Sequence, residues 1–206
     1  MSDAGSSPLA QVRQQLGRAL ARAEPLQLEP GAFERRAAIT LILRPTSAAS
    51  LEALFVRRAD VEGDPWSGHT ALPGGHEEPG DTDLLETARR ETLEETGVRL
   101  ERNHYLGRLD EIPPVTRRLP SISVTPFVAW ALEDTSVRLN HELSGHVWIP
   151  VRNLLDPGNR GSYERPNYAG ESYPTIDFAG HTIWGLTFRV VERFLALAPS
   201  GLLGDG

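Results

Sequence analysis

The chain has 206 residues, of which 39% are hydrophobic and 24% are charged, an ordinary composition for a globular protein with one catalytic domain. Its net charge is −7 and it contains arginine but no lysine, so we expect no general affinity for nucleic acid. The absence of cysteine excludes disulfides, thiolate metal ligands and a thiol nucleophile. No apolar run approaches the roughly 20 residues that span a bilayer, and residues 1–8 lack a signal pattern, so we expect a cytoplasmic protein without membrane contact.

The N-terminal region is predicted to contain one amphipathic helix. Apolar residues recur at helical spacing over residues 9–23, and the pattern ends before Glu24 and Pro25. We expect residues 1–30 to form an extension outside the catalytic fold, whose helix could cover the interface of a homodimer. Residues 31–200 are then the catalytic domain, and residues 201–206 are expected to be a flexible tail.

Several aliphatic-rich segments predict the strands of one sheet. The last of them is followed by a predicted C-terminal helix over residues 182–198. Pro126 is expected at a bulge or at a sheet edge, because proline cannot donate a ladder hydrogen bond. The predicted strands cover residues 37–43, 53–57, 105–109, 121–131 and 146–149.

The acidic segment after the second predicted strand carries the chemistry. Glu91, Glu94 and Glu95 are three or four residues apart, so they share one face of a predicted helix. Oxygen ligands suit Mg²⁺ or Mn²⁺, and Mg²⁺ takes few carboxylates while substrate phosphates and water fill its other positions. The pattern therefore predicts phosphate chemistry at a divalent metal, although an acidic helix face in solvent is the alternative interpretation.

The flanking residues favour the metal site over a solvated helix. Gly74 and Gly75 allow a backbone turn closed to other residues, and Gly97 stands where a helix commonly ends. Either Asp81 or Thr82 is expected to cap the start of the helix. A loop, a helix and a glycine stop therefore follow one another in the order that such a site needs.

These residues resemble the Nudix box, the signature of hydrolases that cut nucleoside diphosphates linked to another moiety. In the resemblance, Gly75 is the leading glycine, Arg90 is the arginine, and Glu91, Glu94 and Glu95 are the metal-binding glutamates. It implies an α/β fold, an α/β/α sandwich on a mixed sheet. It also implies that Mg²⁺ or Mn²⁺ is held by the three glutamates and the Gly75 carbonyl, and that water attacks one phosphorus of a small-molecule nucleotide substrate.

The spacing from Gly75 to Arg90 is one residue longer than is commonest in the family, so the acid in the middle of the box falls on Asp81 or is absent. A longer box after a Pro-Gly-Gly is similar to the coenzyme A pyrophosphatase branch, and this similarity covers roughly residues 37–196. It implies that coenzyme A is cut to adenosine 3′,5′-bisphosphate and phosphopantetheine. Asp64 stands where the branch has an arginine, so two alternatives stay open: a Nudix hydrolase of ADP-ribose, NADH or a dinucleoside polyphosphate, and a non-catalytic nucleotide-binding module.

Further residues are candidates for the remaining roles. Arg57 and Arg58 follow the second predicted strand and are expected to bind the pyrophosphate with Gly74 and Gly75, although they could be ordinary surface arginines. Arg90 is expected to orient Glu91 or a loop carboxylate. The general base is either one of the box glutamates or Glu142, which precedes a predicted strand. The histidines are not spaced as a metal cluster, and only His76 lies within the box loop.

Two loops are candidates for substrate contact. Residues 158–180 are rich in Gly, Pro, Asn and Tyr, and this length suggests a substrate lid. Tyr163, Tyr168 and Tyr173 could stack on an adenine or line a pantetheine channel, although loop tyrosines more often pack locally. The arginines of the loop at residues 113–118 could bind a 3′-phosphate.

Overall fold

The computed structural model describes residues 8–29, 31–47, 50–63, 66–113, 121–164 and 172–199. Two short 3₁₀ helices, Arg102–His104 and Pro157–Asn159, accompany the regular elements. The helices are α1 (Pro8–Arg22), α2 (Leu84–Thr96), α3 (Val151–Leu155) and α4 (Gly185–Leu197). The strands are β1 (Arg35–Ser47), β2 (Ser50–Arg58), β3 (Thr70–Ala71), β4 (Gly74–His76), β5 (Tyr105–Arg108), β6 (Ile122–Trp130), β7 (Leu143–Pro150), β8 (Arg160–Glu164), β9 (Ser172–Phe178) and β10 (His181–Ile183).

The large sheet is mixed and has the strand order β3-β2-β1-β6-β5, with β4 paired to β1 and β7 paired to β2. Strands β1 and β6 run parallel over nine residue pairs, from Arg35↔Ile122 to Leu43↔Trp130. The other pairs in this sheet are antiparallel. A second sheet has the order β10-β9-β8. The mixed sheet confirms the fold class expected from the sequence.

Both faces of the large sheet are buried, which is why apolar residues of its central strands point to both faces. On β1, Ile39 and Leu41 belong to a large apolar cluster, whereas Ile42 belongs to a second cluster on the opposite face. Helix α2 covers the face of the smaller cluster, where Thr92 donates to Thr40 Oγ1 at 3.0 Å. This arrangement is the α/β/α sandwich predicted above.

Helix α1, which the sequence placed in an extension before the catalytic domain, packs against the large apolar cluster of the fold. Leu16 and Leu20 are 0% and 1% exposed, and both belong to the same large cluster as Phe194 of α4. Helix α1 packs on β5, where Leu20 approaches the backbone of Gly107 so closely that a Cβ there would lie 2.9 Å from the Leu20 Cβ. The helix itself was placed correctly to within one residue at each end.

Three expectations need correction. The last helix begins at Gly185 rather than at residue 182, because His181–Ile183 pairs with β9 as a strand. Residues 158–180 were expected to form one loop, but the whole of β8 and the whole of β9 lie within them. Pro126 lies on β6, which pairs with β1 on one side and β5 on the other, and not on an edge strand. It comes just beyond the Arg108↔Phe127 pair, where the pairing with β5 ends.

Among the described helices, none is long and apolar enough to span a bilayer.

Candidate functional site

The acidic segment forms α2, and local interactions fix both of its ends. Asp83 caps the N-terminus, and its Oδ1 accepts a hydrogen bond from the Glu86 N–H at 2.8 Å. The sequence suggested Asp81 or Thr82 as the cap, but the structure has Asp83 in this position. Gly97 ends the helix in the left-handed conformation, with φ 68°, and donates its N–H to the Leu93 carbonyl.

The two glycines before the box loop permit a close approach between backbone and helix. Gly74 has φ 148°, and a Cβ at this position would collide with the Ala38 carbonyl and lie 2.6 Å from the Ile39 Cα. A Cβ at Gly75 would lie 2.5 Å from the carboxyl carbon of Glu91. Only glycine at both positions lets the loop backbone lie directly against β1 and the acidic face of α2.

Glu95 is the most deeply buried of the three box glutamates, at 5% exposure. One oxygen accepts a hydrogen bond from the Gly74 N–H at 2.8 Å. Burial raises the pKa of Glu95 to about 7, and the hydrogen bond from Gly74 opposes this rise while the charges of Glu91 and Glu142 add to it. A carboxyl group held in this way titrates near neutral pH and gains from a neighbouring cation.

Glu91 lies one helical turn from Glu95 and is partly buried. Burial raises the pKa of Glu91, the Arg90 guanidinium opposes the rise, and the charges of Glu94 and Glu142 add to it. Glu94 lies closer to solvent, with a side chain that is 55% exposed. The structure therefore brings the three predicted glutamates onto one face of α2, at three different depths.

Arg90 ties the box loop to the glutamates. Its Nε and Nη2 each donate to a different oxygen of Asp81 at 3.1 Å, and Nη2 also donates to the His76 carbonyl at 2.9 Å. Nη1 donates to Glu91 at 2.9 Å and to Glu94 at 3.2 Å. The hydrogen bonds from Arg90 lower the pKa of Asp81 to about 2, despite the desolvation of that carboxyl group.

Asp81 also accepts from the Glu78 N–H and from the Thr87 hydroxyl, both at 2.9 Å, so the acidic loop is folded around it. These bonds place Asp81 beside Arg90 as a loop carboxylate and account for its failure to cap the helix. The side chain of His76 makes no described contact with this group of carboxylates, since it is the backbone carbonyl of His76 that meets Arg90.

Arg58 and Glu142 both lie near the buried carboxyl group of Glu95. The charge of Arg58 lowers the pKa of Glu95, whereas the charge of Glu142 raises it. Glu142 is held by backbone bonds, from the Ala59 N–H to its carbonyl at 2.8 Å and from its own N–H to Asn140 Oδ1 at 2.9 Å. Glu142 is therefore an exposed acid at the rim of the site, next to the C-terminal end of α2.

Arg57 lies elsewhere, because successive residues of a strand point to opposite faces. Its guanidinium lies near Gly68, where a Cβ would be 3.7 Å from the Arg57 Nη2, and its charge lowers the pKa of His181. The two arginines that the sequence grouped together therefore lie at different places: Arg58 lies near the glutamates, and Arg57 lies near the small sheet.

The donor set suits a hard divalent cation. Glu95 is buried and Glu91 is partly buried, and the pKa of each carboxyl group is raised. A cation between the two groups would offset their repulsion. Within the described ranges, no three His, Asp or Glu side chains already stand in the arrangement of a metal site. Arg90 instead bonds to two of the three glutamates.

The sequence alone missed an aromatic cluster near the small sheet. Trp184, which precedes α4, has its ring 4.8 Å from that of Tyr163, 5.6 Å from that of Tyr173 and 5.0 Å from that of His69. The tyrosines were noted in the sequence, but Trp184 and His69 reach them only through the pairing of distant strands. Four other residues noted in the sequence lie outside the described residues: Asp64, Tyr168, Arg117 and Arg118.

Comparisons with known proteins agree with this geometry. A family model described as NUDIX domain matches residues 34–166. The chain is 30% identical over 173 residues to the human mitochondrial coenzyme A diphosphatase NUDT8, and the match covers 77% of this chain and 72% of that protein. It is 38% identical over 109 residues to an uncharacterized protein of Schizosaccharomyces pombe, covering 50% of this chain and 33% of the yeast protein.

A solved structure shows the same fold. The MutT/nudix family protein from Enterococcus faecalis has a TM-score of 0.56 and 16% sequence identity, and the match covers 94% of this chain and 73% of that chain. At this level of identity, the likeness shows the fold alone.

Proposed function

Because the chain belongs to the Nudix family and is a pyrophosphohydrolase of small nucleotide substrates, we propose that its substrate is coenzyme A or a derivative. The products are then adenosine 3′,5′-bisphosphate and phosphopantetheine. The observation that carries this proposal is the 30% identity to a coenzyme A diphosphatase over 77% of the chain, together with the long box loop between Gly75 and Arg90.

Glu91, Glu94, Glu95 and the Gly75 carbonyl would hold Mg²⁺ or Mn²⁺. A divalent cation in this position neutralises charge on the pyrophosphate and lowers the pKa of water. The burial of Glu91 and Glu95 supports the assignment, since a cation there would offset the cost of two desolvated carboxylates. Glu94 is the most exposed of the three and would complete the set from the solvent side.

The remaining residues position the reacting groups. Arg90 orients Glu91 and Glu94 through its two bonds and fixes the loop through Asp81, so it is a positioning residue. Arg58, and beyond it Arg57, supply positive charge for the phosphates. Gly74 and Gly75, which let the loop lie against β1 and Glu91, would contact the phosphates through their backbone.

Hydrolysis then needs one proton acceptor. Water forms a bond to one phosphorus, the bond from that phosphorus to the bridging oxygen breaks, and the water proton passes to a carboxylate. Glu142 at the rim or one of the box glutamates takes this proton. The effect of the Glu142 charge on the pKa of both Glu91 and Glu95 supports Glu142 as this acceptor, because such an effect needs a short distance to both groups.

Product identification tests this proposal directly. The purified protein is incubated with Mg²⁺ or Mn²⁺ and separately with coenzyme A, ADP-ribose, NADH and a diadenosine polyphosphate, and the products are identified by mass. We expect phosphopantetheine to be released from coenzyme A. Cleavage confined to another member of the panel would overturn the substrate assignment. Binding without cleavage under any metal would favour the non-catalytic module instead.

Three further expectations from the sequence stay predictions. They are a cytoplasmic location, assembly as a homodimer, and the division of the chain at residue 30. The human relative is named as a mitochondrial protein, so location is best tested directly by fractionation of cells that express the chain.

A further inference from the structure

A small cavity lies beside the aromatic cluster, on the face of β2 opposite to Glu95. Its volume is about 180 Å³, which is less than the roughly 300 Å³ or more of a pocket that encloses a whole ligand. It can therefore hold one part of a nucleotide rather than all of it. The residues that line it are Arg57, Gly68, His69, Thr70, Tyr163, Gly180, His181, Thr182 and Trp184.

The walls of this cavity are aromatic. Trp184 and Tyr163 face it with rings 4.8 Å apart and inclined at 49°, and His69 meets the edge of Trp184 at 5.0 Å and 74°. Each of the three rings is only partly buried, so each retains an exposed surface. Stacking against such surfaces is a common way in which proteins bind a nucleobase without distinguishing one base from another.

The cavity also carries positive charge. Arg57 is exposed, and its guanidinium lies near Gly68 together with the Asp60 carboxylate, which partly offsets its charge. Burial and the nearby Arg57 charge lower the pKa of His181, so this imidazole is neutral at pH 7 and Arg57 supplies the charge. A guanidinium at the rim suits a phosphate attached to the ligand whose ring is stacked.

The position of the cavity suits the substrate of the proposed reaction. Thr70 lines the cavity, and the chain runs from it to Gly74, whose N–H binds Glu95. The four residue steps from Thr70 to Gly74 span at most about 13 Å in extended conformation, a separation that a nucleoside can bridge. Arg57 in the cavity is followed directly by Arg58, whose side chain lies on the opposite face of β2 near the glutamates. Because β2 ends at Arg58, a substrate can reach both arginines around the end of the strand.

We propose that Trp184, Tyr163 and His69 form the stacking subsite for the nucleobase of the substrate, with Arg57 as its phosphate contact. The inference rests on the proposed function only in taking the ligand to be a nucleotide. The alternative for the same rings is a purely structural link between β3 of the large sheet and the small sheet.

The test uses binding rather than turnover, so its failure is distinct from failure of the proposed function. Adenosine 5′-monophosphate and ribose 5-phosphate, which differ only in the base, are titrated into the wild-type protein while tryptophan fluorescence is recorded. We expect the adenine nucleotide to quench the fluorescence and ribose 5-phosphate to leave it unchanged. An equal response to both compounds would overturn the inference. Absence of coenzyme A cleavage would leave this result intact.

Two pairs of variants assign the signal. The chain has four tryptophans, so the quenching must be assigned to one of them. Trp184→Phe should abolish the quenching. Trp148→Phe should keep it, because the Trp148 indole lies against Arg44 on β1. Tyr163→Ala should weaken nucleotide binding about tenfold, which corresponds to about 1.4 kcal/mol, while Tyr163→Phe retains the ring and the affinity. During turnover, Tyr163→Ala should raise KM with kcat unchanged.

Unchanged affinity in a folded Tyr163→Ala protein would show that the rings serve packing alone. If that variant does not fold, the comparison of the two ligands on the wild-type, Trp184→Phe and Trp148→Phe proteins decides the question. Quenching that persists in Trp184→Phe would contradict the assignment.

Discussion

Gly74 occupies the position where the close approach between the loop and β1 allows no side chain. Its φ of 148° and the neighbouring Ala38 and Ile39 backbone both require glycine. We expect Gly74→Ala to lower the free energy of unfolding by about 3 kcal/mol or more, as measured by denaturant titration. Gly80→Ala is the matched control, because a Cβ there meets nothing within 4 Å, and its effect should stay within about 0.5 kcal/mol. Equal effects of the two substitutions would contradict the account of the loop.

The buried carboxyl group of Glu95 makes stability depend on pH. In the unfolded chain it ionises near its ordinary pKa of 4.5, whereas the folded protein holds the proton up to a pKa of about 7. Between these values the folded state binds more protons, so the stability contributed by Glu95 falls as pH rises, by at most about 1.4 kcal/mol per pH unit.

Unfolding at pH 5 and pH 8 without divalent cations measures this effect. The wild-type protein should lose more stability between the two pH values than Glu95→Gln, in which the ionisation is absent. Parallel losses in the two proteins would show that Glu95 does not titrate in this window. Addition of Mg²⁺ should recover more stability at pH 8 than at pH 5 in the wild-type protein alone.

At the scale of elements, α2 and its loop act as one unit held by Arg90. Arg90→Lys keeps the charge but loses the planar fork that binds both oxygens of Asp81, so the glutamates lose their orientation. We expect Mg²⁺ affinity and kcat to fall about 10-fold to 100-fold, measured by calorimetry and turnover. Arg89→Lys is the neighbouring control, because Arg89 binds Glu86, Glu101 and the Leu100 carbonyl away from the site. If both variants lower metal affinity equally, Arg90 has no special role.

The box helix was predictable from sequence because its signals are local: glycines before and after it, and acids at helical spacing. Its cap was placed one or two residues too early, at Asp81 or Thr82. Asp81 is instead engaged by Arg90 and Thr87, and these contacts form only when the loop folds. The strands β8 to β10 were missed for a related reason. Their pairing partners supply the only signal, and the segment is otherwise rich in residues typical of loops.

At the scale of the whole molecule, α1 belongs to the packed core. Leu16→Ala should lower the free energy of unfolding of the entire domain by about 2 to 5 kcal/mol, because its side chain is fully buried against the large sheet. Leu26→Ala is the control, since Leu26 is 58% exposed. Both are measured by denaturant unfolding followed at two spectroscopic probes. An unchanged transition in Leu16→Ala would restore the expectation that α1 lies outside the catalytic fold.

The arrangement of the molecule was predictable where burial on both faces of the sheet leaves aliphatic runs, as in β1, β2 and β6. The place of α1 was not, because an amphipathic helix shows which face is apolar but not what covers it. For the same reason the sequence identified the three glutamates but did not show that Arg57 and Arg58 lie at different places. It also did not show that Trp184 joins an aromatic cluster. Those distinctions depend on which face of a strand or which sheet a residue joins.

The most direct test of the account is turnover of coenzyme A with Mg²⁺ by the wild-type protein, Glu95→Gln and Glu133→Gln. Glu133 is an exposed acid in the turn after β6, so its substitution controls for loss of one negative charge. We expect Glu95→Gln to remain folded and to lose at least about 100-fold in kcat, while Glu133→Gln keeps wild-type activity. Near-full activity in a folded Glu95→Gln protein would contradict the assignment of the carboxylate face of α2 as the active site.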